Sequence, residues 1–368
     1  MNRTLRVTVV VTTAVLALAA CGSKATSSGT SSSSGSASAS ASTSATGAAL
    51  KACMVLDVGG VDDRSFNQSS WQGMQEAKTA NANIGVSYVS SSSQNDYVPN
   101  LNAEVGAGCA TTVAVGGLMS AAVKSVAAAN PTKKFAEVDA ASSGPNVYGM
   151  QFNTAEGAFL GGYLAAAMSK TAKVATYGGL NIPPVTIYMD GFWEGVQYYN
   201  KQKAKNVQVL GWDEKNQKGG TFAQSFTDQS KGRSISQAFI QQGADIIFPV
   251  AGGTGLGSGA AAQASGGKVS VIWVDTDGCV SAQQYCSVFL TSVTKNLAKA
   301  VSTYVAAAAA GNYPTGSYIG TLANDGTGIA PFHDFDSKVP ATLKSDLDTI
   351  KAGIISGKIA ITSPSVPK

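Results

Sequence analysis

The chain has 368 residues, 26 lysines plus arginines against 22 aspartates plus glutamates, and a single histidine, His333. A net charge of +4 with no dense Lys/Arg cluster beyond the first residues lacks the basic stripe of a nucleic-acid-binding protein, so no nucleic-acid partner is expected. One histidine excludes metal sites built on several, so no metal is expected, and it routes any Ser-His-Asp triad through His333.

Residues 1–20 read as a signal peptide. Arg3 and Arg6 form a basic start, and Val7–Ala20 is an apolar run too short to span a bilayer. The run ends in Leu18-Ala19-Ala20-Cys21-Gly22. A small-residue cleavage site followed directly by cysteine resembles a bacterial lipobox, with Cys21 lipidated and becoming the mature N-terminus. An ordinary secretory signal with an incidental cysteine is the alternative. Residues 21–48 are almost wholly Ser, Ala, Thr and Gly, which cannot bury enough apolar surface to order themselves, and read as a flexible linker. The expected location is the outer face of a bacterial cell membrane, held by a lipid anchor. Four cysteines remain, an even count suited to two disulfides in an exported protein. Cys279 and Cys286 lie close enough to staple one loop, and Cys53 and Cys109 both lie beside expected strands. The spacings are not those of a zinc ribbon.

Beyond the linker, short apolar runs alternate with longer amphipathic segments. Strands are expected at Cys53–Val58, Val86–Val89, Thr112–Val115, Phe135–Val138 and Val147–Phe152, with helices at Ser69–Ala80, Tyr97–Val105, Ala121–Ala129 and Ala155–Met168. The pattern then restarts. Strands are expected at Lys173–Tyr177, Val207–Leu210, Ile246–Val250 and Val269–Val274, with helices at Ile187–Tyr199, Ile235–Gln242 and Gly257–Ala264. Ser292–Ala310 reads as an Ala-rich helix and Leu343–Gly353 as a last one, in a loop-rich tail. Two successive β-α series predict an α/β protein of two lobes, each an open, mostly parallel sheet with helices on both faces. The N-terminal lobe takes 49–150 and part of 290–323; the C-terminal lobe takes 151–289 and part of 324–368. In such sheets ligands sit beyond the carboxyl ends of the strands, here in a cleft between lobes.

The strongest local signal follows the first strand: Leu56-Asp57-Val58-Gly59-Gly60-Val61-Asp62-Asp63-Arg64-Ser65-Phe66-Asn67-Gln68. Two glycines allow a tight turn, and carboxylates, a Phe and an Asn then precede a helix. Asp62, Asp63 and Ser65 suit a helix cap, while Phe66 and Asn67 suit stacking and hydrogen bonding in the cleft. The run Gly252-Gly253-Thr254-Gly255-Leu256-Gly257 also follows a strand and opens a helix. Its spacing is not that of a dinucleotide loop and it has no Walker lysine, so it reads as backbone N–H groups approaching a neutral ligand, with no cofactor.

This opening motif resembles that of the basic membrane protein family, the purine-nucleoside-receptor-like substrate-binding lipoproteins of ABC importers. The resemblance continues through Phe135–Asp139, Glu156–Ala166, Gly191–Val196, Ser225–Asp228, Gly243–Phe248, Ala251–Gly255, Val274–Asp277 and Leu290–Lys295. It implies a two-lobed type I periplasmic-binding-protein fold with a nucleoside in the cleft. Carried over by position, Phe66 and Phe226 sandwich the base, and Asp57, Asn67 and Asp139 hydrogen-bond its polar edge. Gly252, Asp275 and Lys295 hold the ribose, with Asp277 as an alternate to Asp275. Each has a plainer reading: Asp139 as a turn residue, Phe226 as a core aromatic, Lys295 as a solvated lysine. Phe192 reads as core.

The implied activity is binding without catalysis: a monomer that delivers a nucleoside, purine by the resemblance, to a membrane permease and its ATPase. Gly278 stands where the family commonly has Gln, next to the Cys279–Cys286 loop at the cleft edge. That departure keeps other heterocycles open, riboflavin among them. The competing readings are a sensory lipoprotein with a similar ligand and an exported nucleoside hydrolase using His333 and Asp334.

Overall fold

Runs such as L-K-A-C-M-V-L and T-T-V-A-V are apolar and β-branched on both faces, which suits strands covered by helices on two sides. They form β1 (Leu50–Leu56) and β3 (Thr111–Val115) at the centre of a sheet. The computed structural model describes residues 49–368. The expected signal peptide, the lipidated Cys21 and the linker to residue 48 lie outside the described residues.

The first sheet has the order β11-β5-β4-β3-β1-β2, all parallel, adding β2 (Ile84–Ser90), β4 (Lys134–Val138), β5 (Val147–Phe152) and β11 (Ser317–Gly320). Helices α1 (Phe66–Ala80) and α9 (Leu297–Ala309) cover one face, where Met74, Ala77, Leu297 and Val301 pack on Met54, Leu56 and Val113. Helices α2 (Tyr97–Gly106) and α3 (Ser120–Ala129) cover the other.

The second sheet has the order β12-β10-β9-β8-β6-β7, with only β12 antiparallel. It comprises β6 (Lys173–Gly178), β7 (Gln208–Leu210), β8 (Ile246–Val250), β9 (Ser270–Asp275), β10 (Phe289–Lys295) and β12 (Thr327–Ile329). Helices α4 (Thr154–Met168), α5 (Pro183–Lys203) and α10 (Ala341–Ile355) pack on one face. Helices α6 (Gln229–Gln241) and α7 (Leu256–Ala264), with the short α8 (Gly278–Ser281), pack on the other. The chain crosses between sheets after β5, after β10, and between β11 and β12. These crossings are short, the geometry of a hinge.

One expected element is corrected. Ser292–Lys295 is not the start of a helix but the end of strand β10, in the second sheet. The run F-L-T-S-V-T alternates β-branched residues, and Asn296, whose side chain accepts from the Lys299 N–H at 3.4 Å, starts α9 after it. The second lobe therefore includes Phe289–Lys295, while α9 and β11 return to the first.

Helix α4 is buried on every side, and glycines let α5 press against it. A Cβ at Gly162 would lie 2.0 Å from the Phe192 carbonyl, and one at Gly191 2.2 Å from that of Ala155. This close approach buries Phe192 completely against Phe248, their rings 5.3 Å apart, and aims Val185 and Tyr188 toward the strand ends.

After α10 the last residues run back along α5 as a strap. The Thr362 N–H donates to Glu194 at 2.8 Å, the Ser363 hydroxyl to Asp190 at 2.6 Å, and the Ser365 and Thr186 hydroxyls pair at 2.8 Å. Cys53 is bonded to Cys109 and Cys279 to Cys286. The first bridge spans 56 residues, and closing so long a loop is worth about 4 kcal/mol in the chain-entropy account. Among the described residues no helix is long and apolar enough to cross a membrane.

Candidate functional site

The carboxyl ends of β1, β3 and β4 in one sheet face those of β8, β9 and β10 in the other, and a cavity lies between them. It encloses about 580 Å³ of space not filled by atoms, part of it open to solvent. Asp57 stands just after β1, Gly116 after β3 and Asp139 after β4. From the second lobe come Gly252 after β8, and Asp275 and Lys295 at the ends of β9 and β10. Asp139 and Asp275 take left-handed backbone, φ 64° and 67°, as does Gly252 at 53°. For aspartate this conformation is uncommon, and such strain concentrates where a side chain must be aimed at a ligand.

Phe66 and Phe226 line the cavity from opposite lobes, each only partly buried. Phe66 opens α1, directly after the cap. Phe226 lies over Gly179, where a Cβ would come 2.2 Å from the ring; no larger residue fits beneath it. The Phe226 carbonyl accepts the Thr254 N–H at 3.0 Å, which ties the ring's backbone to the turn carrying Gly252.

The polar edge is built on Asn67. Its side-chain N–H₂ donates to Asp57 at 2.8 Å and to Asp63 at 3.2 Å. Two carboxylates require a donor there, so the amide orientation is fixed and Oδ1 is left buried without a partner among the described residues. Asp63 accepts the backbone N–H groups of Ser65, Asn67 and Gln68 at 2.8–3.1 Å, and so caps α1. Burial pushes Asp63 up to about 7 against these donors. Burial also raises Asp57, opposed by Asn67 and the Gly59 N–H.

Across the cleft, Lys295 Nζ lies 2.9 and 2.8 Å from the two oxygens of Asp139, with side-chain exposures of 3% and 9%. Asp275 Oδ1 is 3.8 Å from the same nitrogen. Burial raises Asp139, and Lys295 is the main opposing influence. The Lys295 ammonium also sits 4.8 Å from the centre of the Phe66 ring. The Tyr188 hydroxyl donates to Asp275 at 2.7 Å, and burial holds that phenol well above its usual range.

The cavity thus brings together Asp57, Phe66, Asn67, Asp139, Phe226, Gly252, Asp275 and Lys295. Asp277 is not among its lining residues. It caps α8 and pairs with His333 Nε2 at 2.7 Å on the outer surface. His333 therefore bonds Asp277, not Asp334, and it too lies outside the cavity. The sequence reading missed Asp63 as a lining residue, the Lys295–Asp139 pairing, and Tyr188 with its neighbours Ile182, Pro184 and Val185. Tyr188 carried a weak signal: it lies one helical turn before the core Phe192.

Three comparisons bear on this arrangement. The model of a family described as "ABC transporter substrate-binding protein PnrA-like" matches residues 50–359. The CD4+ T-cell-stimulating antigen of Listeria monocytogenes is 33% identical over 325 residues, which is 84% of this chain and 87% of that one. The ABC transporter nucleoside-binding protein BmpA of Lactococcus lactis is 29% identical over 336 residues, 85% of this chain and 89% of that one. Among solved structures, an ABC transporter solute-binding protein from Aeropyrum pernix aligns with a TM-score of 0.77 at 24% identity, covering 86% of this chain and 94% of the other. That last likeness concerns the fold.

Proposed function

The chain belongs to the Bmp family of PnrA-like ABC transporter substrate-binding proteins, and from that premise we propose that its ligand is a nucleoside, with a purine base, captured outside the cell and handed to a membrane permease. The observation that carries this reading is the division of the cavity. Two partly buried phenylalanines stand on opposite lobes, and between them lies a polar edge whose Asn67 Oδ1 has no partner among the described residues.

A nucleobase offers two flat faces, and stacking on an aromatic ring is worth about 1–3 kcal/mol per base without fixing its in-plane orientation. Orientation comes from the edge. Asn67 Oδ1 accepts a base N–H, and Asp57 is an acceptor when ionised and a donor when protonated. Lys295 and Asp275 offer a donor and an acceptor to a ribose diol. Carboxylates outnumber the one lysine, which favours a neutral ligand over a phosphorylated one. The named relative from Lactococcus lactis supports the ligand class. The lipobox at Cys21 supports anchoring at the outer membrane face, and the two-lobed architecture supports a monomeric receptor.

Titration calorimetry of the purified chain with guanosine, inosine, adenosine, cytidine, riboflavin and guanosine monophosphate tests the reading. The expected result is one-to-one binding of purine nucleosides, with the monophosphate at least tenfold weaker and the ligand recovered intact. Heat only from riboflavin, or from none of the six, overturns it. Free base in the recovered ligand points to hydrolysis instead.

A further inference from the structure

Ser65 occupies the N-cap of α1 but does not use its side chain to cap the helix. A serine at this position ordinarily accepts an N–H of the first turn. Here Asp63 accepts the N–H groups of Ser65, Asn67 and Gln68 instead. The Ser65 hydroxyl, fully buried, is released to reach the other lobe, where it donates to Asp275 Oδ2 at 2.6 Å. Its neighbour Arg64 is held at φ 58° and turns its carbonyl the same way. That carbonyl accepts from Trp273 Nε1 and from the Thr276 hydroxyl, both at 3.3 Å. With the Val274 carbonyl 3.4 Å from the Ser65 hydroxyl, one two-residue turn of the first lobe thus bonds four residues at the end of β9 in the second.

We propose that Arg64–Ser65 is a closure latch that sets the release rate of the ligand, and that it positions Asp275 for that ligand only when the lobes are shut. This rests on the binding reading above for the ligand, but the latch bonds involve protein atoms alone. With the lobes closed, Asp275 has Oδ1 fixed by Tyr188 from its own lobe and Oδ2 fixed by Ser65 from the other. With the lobes open, Oδ1 keeps its own-lobe partners, the Tyr188 hydroxyl and Lys295 at 3.8 Å, and Oδ2 loses Ser65. Because no latch bond requires a ligand, the latch predicts a closed fraction in the empty chain, to which ligand binding then adds. Ser65 is a positioning residue in this scheme.

The test uses the full chain with a dye pair at the exposed Lys78 and Lys268, one on each lobe. In the empty wild-type chain a fraction of molecules shows the short distance; in Ser65→Ala that fraction falls. With guanosine as the probe, Ser65→Ala releases it about tenfold faster, the loss expected for a hydrogen bond to a charged group, while the association rate stays within about twofold. Thr276→Val, which removes an independent donor to the Arg64 carbonyl, shifts both readouts the same way by less. The melting temperature of empty Ser65→Ala matches wild type, because Asp63 still caps α1. An empty wild-type chain that is open throughout overturns the latch. So does Ser65→Ala with unchanged distances and release, or with a lowered melting temperature, which marks Ser65 as a structural residue. If guanosine fails to bind the wild type, the ligand reading falls, and the dye distances of the empty chain still decide the latch.

Discussion

Two groups of buried carboxylates, one under the C-terminal strap and one in the cleft, are finished differently. Under the C-terminal strap, Asp190 is fully buried and saturated: it accepts from Trp212 at 2.9 Å, Gln217 at 2.8 Å and Ser363 at 2.6 Å. Beside it Glu194 accepts both the N–H and the hydroxyl of Thr362. All of these donors belong to one lobe. In the cleft, Asp139 and Asp275 take partners from across the gap, Lys295 and Ser65, and Asn67 keeps a buried oxygen unpaired. Acids saturated within one lobe hold a fold together. Acids that take a partner from across the gap have capacity for a ligand that same-lobe bonds do not use up.

That contrast predicts opposite signatures for loss of each group. The largest effect is expected at Asp190→Ala, which strands the buried Trp212 N–H and frees the strap. Unfolding free energy should fall by about 3 kcal/mol, read by urea titration, while affinity for a purine nucleoside stays within about twofold. Equal loss of binding would break the distinction. Next is Phe66→Ala, expected to lose about 2 kcal/mol of binding, the scale of one base–aromatic stack, with less than about 1 kcal/mol taken from the empty fold. A smaller loss, about tenfold in affinity by calorimetry, is expected for Asp139→Asn. Its empty form should melt like wild type, because opening lets water reach Lys295. A drop of many degrees would mark the Lys295–Asp139 pair as part of the lobes' own stability.

How far the residues alone reveal this arrangement follows from how local each signal is. The inner strands announce themselves because both faces are apolar, and Phe66, Asn67 and Asp139 because they stand immediately after such strands or open the next helix. Ser292–Lys295 misleads because its β-branched alternation runs without a break into an Ala-rich helix, and the boundary at Asn296 shows only in the pairing with β9 and β12. The short β11 and β12, of four and three residues, have too few positions to show alternation. Tyr188 reaches the cavity only because Gly162 and Gly191 let α5 lie against α4, a fact about another helix. The Asp57-Val58 and Val274-Asp275 junctions look alike in sequence to Thr276-Asp277. Only the left-handed turn at Asp275 separates the acid that enters the cavity from the one that caps α8. The diversion of Ser65 from capping is likewise invisible until Asp63 is seen to take its place.

The smallest effect distinguishes the two acid groups by proton. Glu214 stands beside Glu194 near the strap, and both share the Thr362 hydroxyl at 3.4 and 3.1 Å. Burial first, and then the Glu194 charge, raise Glu214 from its ordinary 4.5 to about 8. The folded chain therefore holds a proton that the unfolded chain has already released, and stability falls as pH rises from about 4.5 through about 8. Buried Asp57, Asp139 and Asp63 contribute the same sign from the cleft, so the wild-type slope alone cannot be assigned. Glu214→Gln separates them. Its melting temperature should fall less than that of wild type between pH 6 and pH 9, by a few degrees, with the two chains converging as pH drops below about 4.5. The strap should also stay protected from proteolysis in the variant at pH 9. Ligand affinity of the variant should follow the wild-type pH profile throughout, since the cleft acids titrate independently of the strap. A changed affinity profile would mean that the two groups of acids are coupled through α5, and that Asp190, Glu194 and Tyr188, which share that helix, act as one unit.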